Sequence, residues 1–283
     1  MLACAGLAAL APSPSDCRAA EPAPQNFAGR LEHAAESDFS RIRIRRQGSV
    51  RSMLFERDSG EEVLESQIDL RRPHELKFEY LKFLFTTYLL KNPQQDVLIV
   101  GLGGGGMVHF LRQLDPQIRI DAVEIDPVVV ELADKFFGVR TEGNVTITTA
   151  DGFQFIADAK KKYDAIYMDA FLKPSEATDG TGAPLALRTD QFYQQLQDKL
   201  KPGGVVAFNL NPHEQLENDV RAIAAAFPQT YVFPLSRYAG AVVVGSTDAQ
   251  RLGPVELAAR GRGLDRQYKS SLWFEEMARR VKR

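Results

Sequence analysis

Past residue 17 the chain has no cysteine; its two, Cys4 and Cys17, lie within the first twenty residues. The body of the protein therefore has neither a disulfide framework nor a thiolate metal site. Net charge is nearly absent as well, at −2 over 283 residues. No electrostatic attraction to nucleic acid is expected from that balance. No apolar run reaches the ~18 residues needed to cross a bilayer, so no transmembrane span is expected. Histidine is scarce, with four in the chain. His74 has no second His or Cys at metal-ligand spacing, and no metal is expected. What is present is ordinary globular composition, 44% hydrophobic and 25% charged, enough for one large domain with a smaller one.

Residues 96–126 read DVLIVGLGGGGMVHFLRQLDPQIRIDAVEID, and the rest of the chain can be placed around them. Asp96 to Val100 is a short, β-branched, apolar run, as in a strand buried on both faces. Gly101-Leu102-Gly103-Gly104-Gly105-Gly106 breaks it. Met107, Phe110, Leu111 and Leu114 then share one helical face. A second strand, 118–123, ends in Glu124-Ile125-Asp126-Pro127. Glycines allow a sharp turn and close approach of a ligand to the backbone. The following helix offers free N–H groups and a partial positive charge. Glu124, at the end of the second strand, can accept hydrogen bonds from two ribose hydroxyls. The unit is read as a nucleoside site, with NAD and S-adenosylmethionine (AdoMet) both open at this point.

Before this unit, residues 41–45 alternate apolar and basic, the period-two mark of a half-exposed strand. Residues 50–57 and 62–69 read as two more strands, joined by turns at Gln47-Gly48-Ser49 and Asp58-Ser59-Gly60. Residues 74–90 read as a helix behind Pro73, with Leu76, Tyr80, Phe83, Leu84 and Tyr88 as its core-facing stripe. After Asp126 the pattern alternates: helix 128–137, strand 145–149, helix 153–160, strand 163–168, helix 190–200, a turn at 201–204, strand 205–210, helix 219–226, and closing strands 231–234 and 241–246. Such alternation implies a doubly wound α/β fold, a parallel sheet with helices on both faces. The expected organisation is a tail at 1–26, a small antiparallel β module at 27–72, a Rossmann-like domain at 73–250 and a helical tail at 251–283. Ligands in such sheets sit beyond the carboxyl ends of the strands. Gly101–Gly106, Glu124, Asp151 and Asp169 all fall there, after four strands. The loop 171–184 reads as a lid, and Arg188 and Asp190 as caps of the next helix.

VGLGGG, VEIDP, ADG, a strand-end Asp and LKPGG, in that order, resemble the class I AdoMet-dependent transferases, which moves AdoMet ahead of NAD. Within them the chain resembles the spermidine synthase-like family from about Glu36 to Gly245. Residues 36–42 look like that family's opening strand, and the small β module precedes the nucleotide fold in the same way. The resemblance implies that Glu124 holds the ribose and Asp151 the adenine amino group. Gly101, Gly103, Gly104 and Gly105 would hold the thioether end, and Ile125, Asp126 and Gly152 belong to the same matched motifs. Asp169 would deprotonate the attacking amine. Ser40, Phe78, Phe171 and Leu172 fall on the acceptor or lid side. A homodimer or larger assembly is also implied.

The departures bear on the reaction. Where the family's glycine loop carries an Asp that faces the propylamine end of decarboxylated AdoMet, this chain has Gly104. Where a second Asp should hold a diamine, it has Leu172, beside Lys173. Three readings stay open. The first is methyl transfer from AdoMet to an amine, on a small molecule or a protein. The second is aminopropyl transfer from decarboxylated AdoMet to a diamine, with Glu36, Glu79 or Asp179 supplying the lost anions. The third is a nucleoside-binding protein without catalysis. The N-terminus leaves two locations open. Residues 1–20 have the apolar run and small-residue cleavage zone of a signal peptide without its basic start. Export follows if they are removed, whereas AdoMet is made in the cytoplasm.

Overall fold

In the computed structural model, residues 27–171, 176–237 and 239–282 are described. The tail at 1–26 and the side chains of Leu172 and Lys173 lie outside them. Four antiparallel strands come first: β1 (Arg30–Glu36), β2 (Arg41–Gln47), β3 (Val50–Glu56) and β4 (Glu62–Asp69), paired in sequence order. The expectation of three strands missed β1. Residues 36–42 are not one strand; Ser37 breaks them. Its Oγ accepts from the N–H groups of Phe39 and Ser40 and closes a turn. The basic alternation on β2 is neutralised in place: Arg43 pairs with Glu56 and Arg45 with Glu62.

The segment at 74–90 is a shorter helix than its pattern implies. Only α1 (Glu79–Leu84) is α-helical, and Phe85–Leu89 winds into a 3-10 turn. Arg72 instead folds back on Asp69 in a turn. At the other end, the Thr86 hydroxyl donates to the Phe83 carbonyl at 2.7 Å. Such back-bonding by a β-branched residue competes with the α-helical ladder.

The second sheet has seven strands: β5 (Asp96–Val100), β6 (Arg119–Glu124), β7 (Val145–Thr149), β8 (Tyr163–Met168), β9 (Leu200–Leu210), β10 (Gln229–Pro234) and β11 (Ala241–Ser246). Their order is β10-β11-β9-β8-β5-β6-β7, with β11 antiparallel to both neighbours and the other pairs parallel. The sheet is flanked by α2 (Gly106–Leu114), α3 (Pro127–Phe137), α4 (Gly152–Asp158), α5 (Asp190–Asp198) and α6 (Leu216–Ala226). This is a Rossmann-like, doubly wound architecture with one reversed strand. The expected turn at 201–204 lies inside β9. Gly203, at φ 67°, and Pro202 make a bulge there, and the β8–β9 register shifts between Tyr163 and Ala165.

Hydrophobic burial sets how the two sheets meet. Ile42, Ile44, Met53 and Ile68 pack on Val129, Leu132 and Phe137 of α3. At the C-terminus, α7 (Pro254–Tyr268) and α8 (Phe274–Arg279) close on the 3-10 turn. Leu272 and Phe274 enter the core while Trp273, between them, stays 69% exposed. Among the described residues no helix is long and apolar enough to cross a membrane.

Candidate functional site

Backbone hydrogen bonds continue past the strand ends and draw the four motifs into one line. Gly101 N–H donates to Val123, Ala150 N–H to Glu124, and Asp169 N–H to Val100, at 2.8, 3.0 and 2.9 Å. A cavity of about 260 Å³ opens there. Gly101, Gly103, Glu124, Ile125, Asp126, Asp151, Gly152 and Asp169 line it, with Ser40 from the turn before β2 and Phe171 from the loop after β8. Gly104, Gly105 and Phe78 do not.

Each exclusion has a physical reason. A Cβ on Gly104 would stand 3.0–3.3 Å from the Phe137 ring, so that position faces α3 rather than the cavity. Gly105 is the left-handed residue that starts α2, at φ 71°. Phe78 precedes α1 and stacks on Tyr80, ring centroids 5.7 Å apart. Gly101 is constrained more tightly than any of these. It sits at φ 93°, and a Cβ there would lie 2.1 Å from the Asp169 carbonyl oxygen. Gly101→Ala combines backbone strain with overpacking and should destabilise by about 3 kcal/mol. At about 2–4 °C per kcal/mol for a chain of this size, the thermal midpoint should fall by roughly 6–12 °C. A midpoint within 2 °C of the parent's, read by scanning calorimetry, would mean the loop relaxes freely.

Glu124 is held by the loops it joins. Its Oε2 accepts from Leu102 N–H at 2.9 Å and its Oε1 from Asp126 N–H at 3.1 Å. Burial pushes its carboxyl upward, and those backbone bonds oppose the shift. Each oxygen keeps one lone pair for a ligand hydroxyl. Asp126 is a structural cap: Oδ1 accepts from Val128 N–H at 2.9 Å and Oδ2 from the Ser37 hydroxyl at 2.6 Å. It anchors α3 and ties the first sheet to the second. Asp151 lines the cavity and caps α4 through Oδ1, which accepts from Phe153 N–H at 2.8 Å.

Asp169 lies deeper. Asn209 donates to its Oδ1 at 2.9 Å and Tyr80 also donates to it. Burial pushes its carboxyl up to about 6 against those two bonds, into the range of a general base at neutral pH. Tyr80, Asn209, Phe55, Glu65 and Ser66 escape a sequence reading. Tyr80 belongs to what looks like a core stripe. Asn209 is a lone polar residue ending an apolar strand, the one available signal. Phe55, Glu65 and Ser66 come from β3 and β4. Ser66 Oγ accepts from Gly104 N–H at 2.9 Å, a second tie between the sheets.

The 171–184 loop contributes Phe171, Ala177 and Pro184 to the cavity wall, and the 3-10 turn Leu185–Arg188 adds Ala186 and Leu187. Arg188 does not cap α5; Thr189 does, accepting from Phe192 N–H at 3.2 Å. Arg188 instead clamps the 171–184 loop, with Asp179 at 2.8 Å on one side and Asp219 at 2.9 Å on the other. None of the three acids considered as replacement anions reaches the cavity. Glu36 is exposed on β1, Glu79 is held by Ser236 and Arg280, and Asp179 serves the clamp.

Known proteins resemble the chain over half of its length or more. The polyamine aminopropyltransferase of Vibrio vulnificus is 27% identical over 216 residues, 75% of this chain and 70% of that protein. The mouse eEF1A lysine and N-terminal methyltransferase is 36% identical over 157 residues, 51% of this chain but 22% of that larger protein. Among solved structures, human methyltransferase-like protein 13 in complex with SAH (S-adenosylhomocysteine) superposes with a TM-score of 0.63 at 28% identity. That match covers 68% of this chain and 93% of the other. The spermine/spermidine synthase domain matches residues 78–244, from the α1 entry through β11. With more than half its length in that match, the chain belongs to the spermine/spermidine synthase family, whose relatives include aminopropyltransferases and methyltransferases.

Proposed function

We propose that the chain transfers a methyl group from AdoMet to an amine. The observation behind this reading is Asp169: a carboxyl raised toward neutrality, oriented by Tyr80 and Asn209, in the cavity bounded by the glycine loop and Glu124. Glu124 suits the ribose, Asp151 the adenine amino group, and Gly101 with Gly103 the thioether end. Bound there, the donor supplies an electrophilic carbon on a sulfonium. Transfer to an amine requires an unprotonated nitrogen, and Asp169 is the group suited to take that proton. Positioning does most of the remaining work in an in-line displacement. Methyl rather than aminopropyl transfer is supported by the 36% identity over 157 residues with a protein named as a methyltransferase. Gly104 lends no support either way, because its position faces Phe137.

One observation favours aminopropyl transfer. Among the described residues the cavity wall carries Glu65, Glu124, Asp126, Asp151 and Asp169, and no Lys, Arg or His. Like charges repel, so such a wall suits a donor without a carboxylate. Calorimetry on the purified protein separates the two. Tighter binding of AdoMet and SAH than of decarboxylated AdoMet and 5′-methylthioadenosine is expected for methyl transfer. The reverse order would overturn it in favour of aminopropyl transfer.

A further inference from the structure

β4 contains a β-bulge. Met53 pairs with Ser66 and Leu54 with Leu64, so Glu65 is the extra, unpaired residue. Bulges re-aim side chains, and here Glu65 and its neighbour Ser66 both face the cavity although they are adjacent on a strand. Among the described residues no group donates a hydrogen bond to Glu65 or forms an ion pair with it. Burial, then the charge of Asp169, pushes its carboxyl up to about 7, with Arg57 opposing.

Asp169 lines the same cavity, with its Oδ1 accepting from Asn209 Nδ2 at 2.9 Å. Glu65 and Asp169 thus offer carboxylate oxygens with acceptor capacity to spare in a cavity with no cation on its described wall. An alkylammonium has three N–H donors and one positive charge.

We propose that Glu65 is a specificity-determining residue that, facing Asp169, holds an alkylammonium in the cavity. The inference rests on the donor-site reading above. The ammonium has two possible sources, the amino end of the donor or the acceptor amine, and the test has an arm for each. In the first, calorimetry compares 5′-methylthioadenosine with S-adenosyl-3-thiopropylamine, which adds an alkylammonium and no carboxylate. In the second, methylthioadenosine-saturated protein is titrated with n-pentylamine or 1-pentanol.

The parent protein should prefer the cationic ligand at least tenfold in one arm, and Glu65→Gln should remove most of that preference. Methylthioadenosine affinity should stay within twofold, which also reports that the variant is folded. The arm that responds names the source. No preference for either cation, or an unchanged preference in Glu65→Gln, would overturn the inference and leave the donor site standing. An equal loss of methylthioadenosine affinity would mark Glu65 as structural and overturn it too. Failure of the parent protein to bind any nucleoside would overturn the donor-site reading along with it.

Discussion

Asp169→Asn should lower turnover by about two to four orders of magnitude, the usual contribution of a positioned general base. Affinity for 5′-methylthioadenosine should change little, because its nucleoside is assigned to Glu124, Asp151 and the glycine loop and it carries no ammonium. The parent's rate should rise with pH through about 6, where Asp169 loses its proton. A base must be ionised to accept a proton, so acid conditions silence it and the rate climbs as the carboxylate forms. In Asp169→Asn that limb should vanish, leaving only the slope set by the acceptor's own titration. The substitution keeps the size of the side chain, so Tyr80 and Asn209 retain a partner. A variant with more than a tenth of parental turnover would remove Asp169 from the chemistry.

Glu124→Ala should have the largest effect on binding. A hydrogen bond to a charged group contributes about 1.5–3 kcal/mol, and two ribose hydroxyls would share this carboxylate. At about 1.4 kcal/mol per tenfold, donor affinity should fall by at least roughly a hundredfold. The effect reaches further, since Leu102 and Asp126 N–H groups lose their acceptor and the glycine loop loses its link to the start of α3. Glu124→Gln keeps an acceptor without the charge and should fall between the two. Equilibrium binding of a fluorescent adenosyl analogue reads all three proteins side by side. If Glu124→Ala binds within threefold of the parent, the ribose is held elsewhere.

The nucleoside half of the site is legible in the sequence because its signals are local. A β-branched run, left-handed glycines, a helix face and a strand-end acid each follow from a few neighbouring residues. The strand and helix alternation that implies a doubly wound sheet is local in the same way, whereas the strand order and the reversed β11 are set by long-range pairing. Glu65 is not legible in that way. Residues 62–69 mix polar and apolar side chains as an edge strand in solvent would, and the bulge that turns Glu65 inward is set by its pairing with Met53 and Leu54. Gly104 misleads for a related reason. Its place in the motif points to the donor, but the packing of Phe137 decides which way that position faces. Arg188 reads as a helix cap until Asp179 of the 171–184 loop and the distant Asp219 are seen on either side of it.

The wall of the cavity is drawn from two sheets that share no strand. Its strand-end motifs belong to the seven-stranded sheet, whereas Ser40, Phe55, Glu65 and Ser66 come from the four-stranded one and its turns. Selection can therefore act on the two separately. Replacements along β2, β3 and β4 can change the size and charge of one wall while the glycine loop, Glu124 and Asp151 stay under their own constraint. Descendants of one ancestor could in this way keep the nucleoside and exchange what it is offered to.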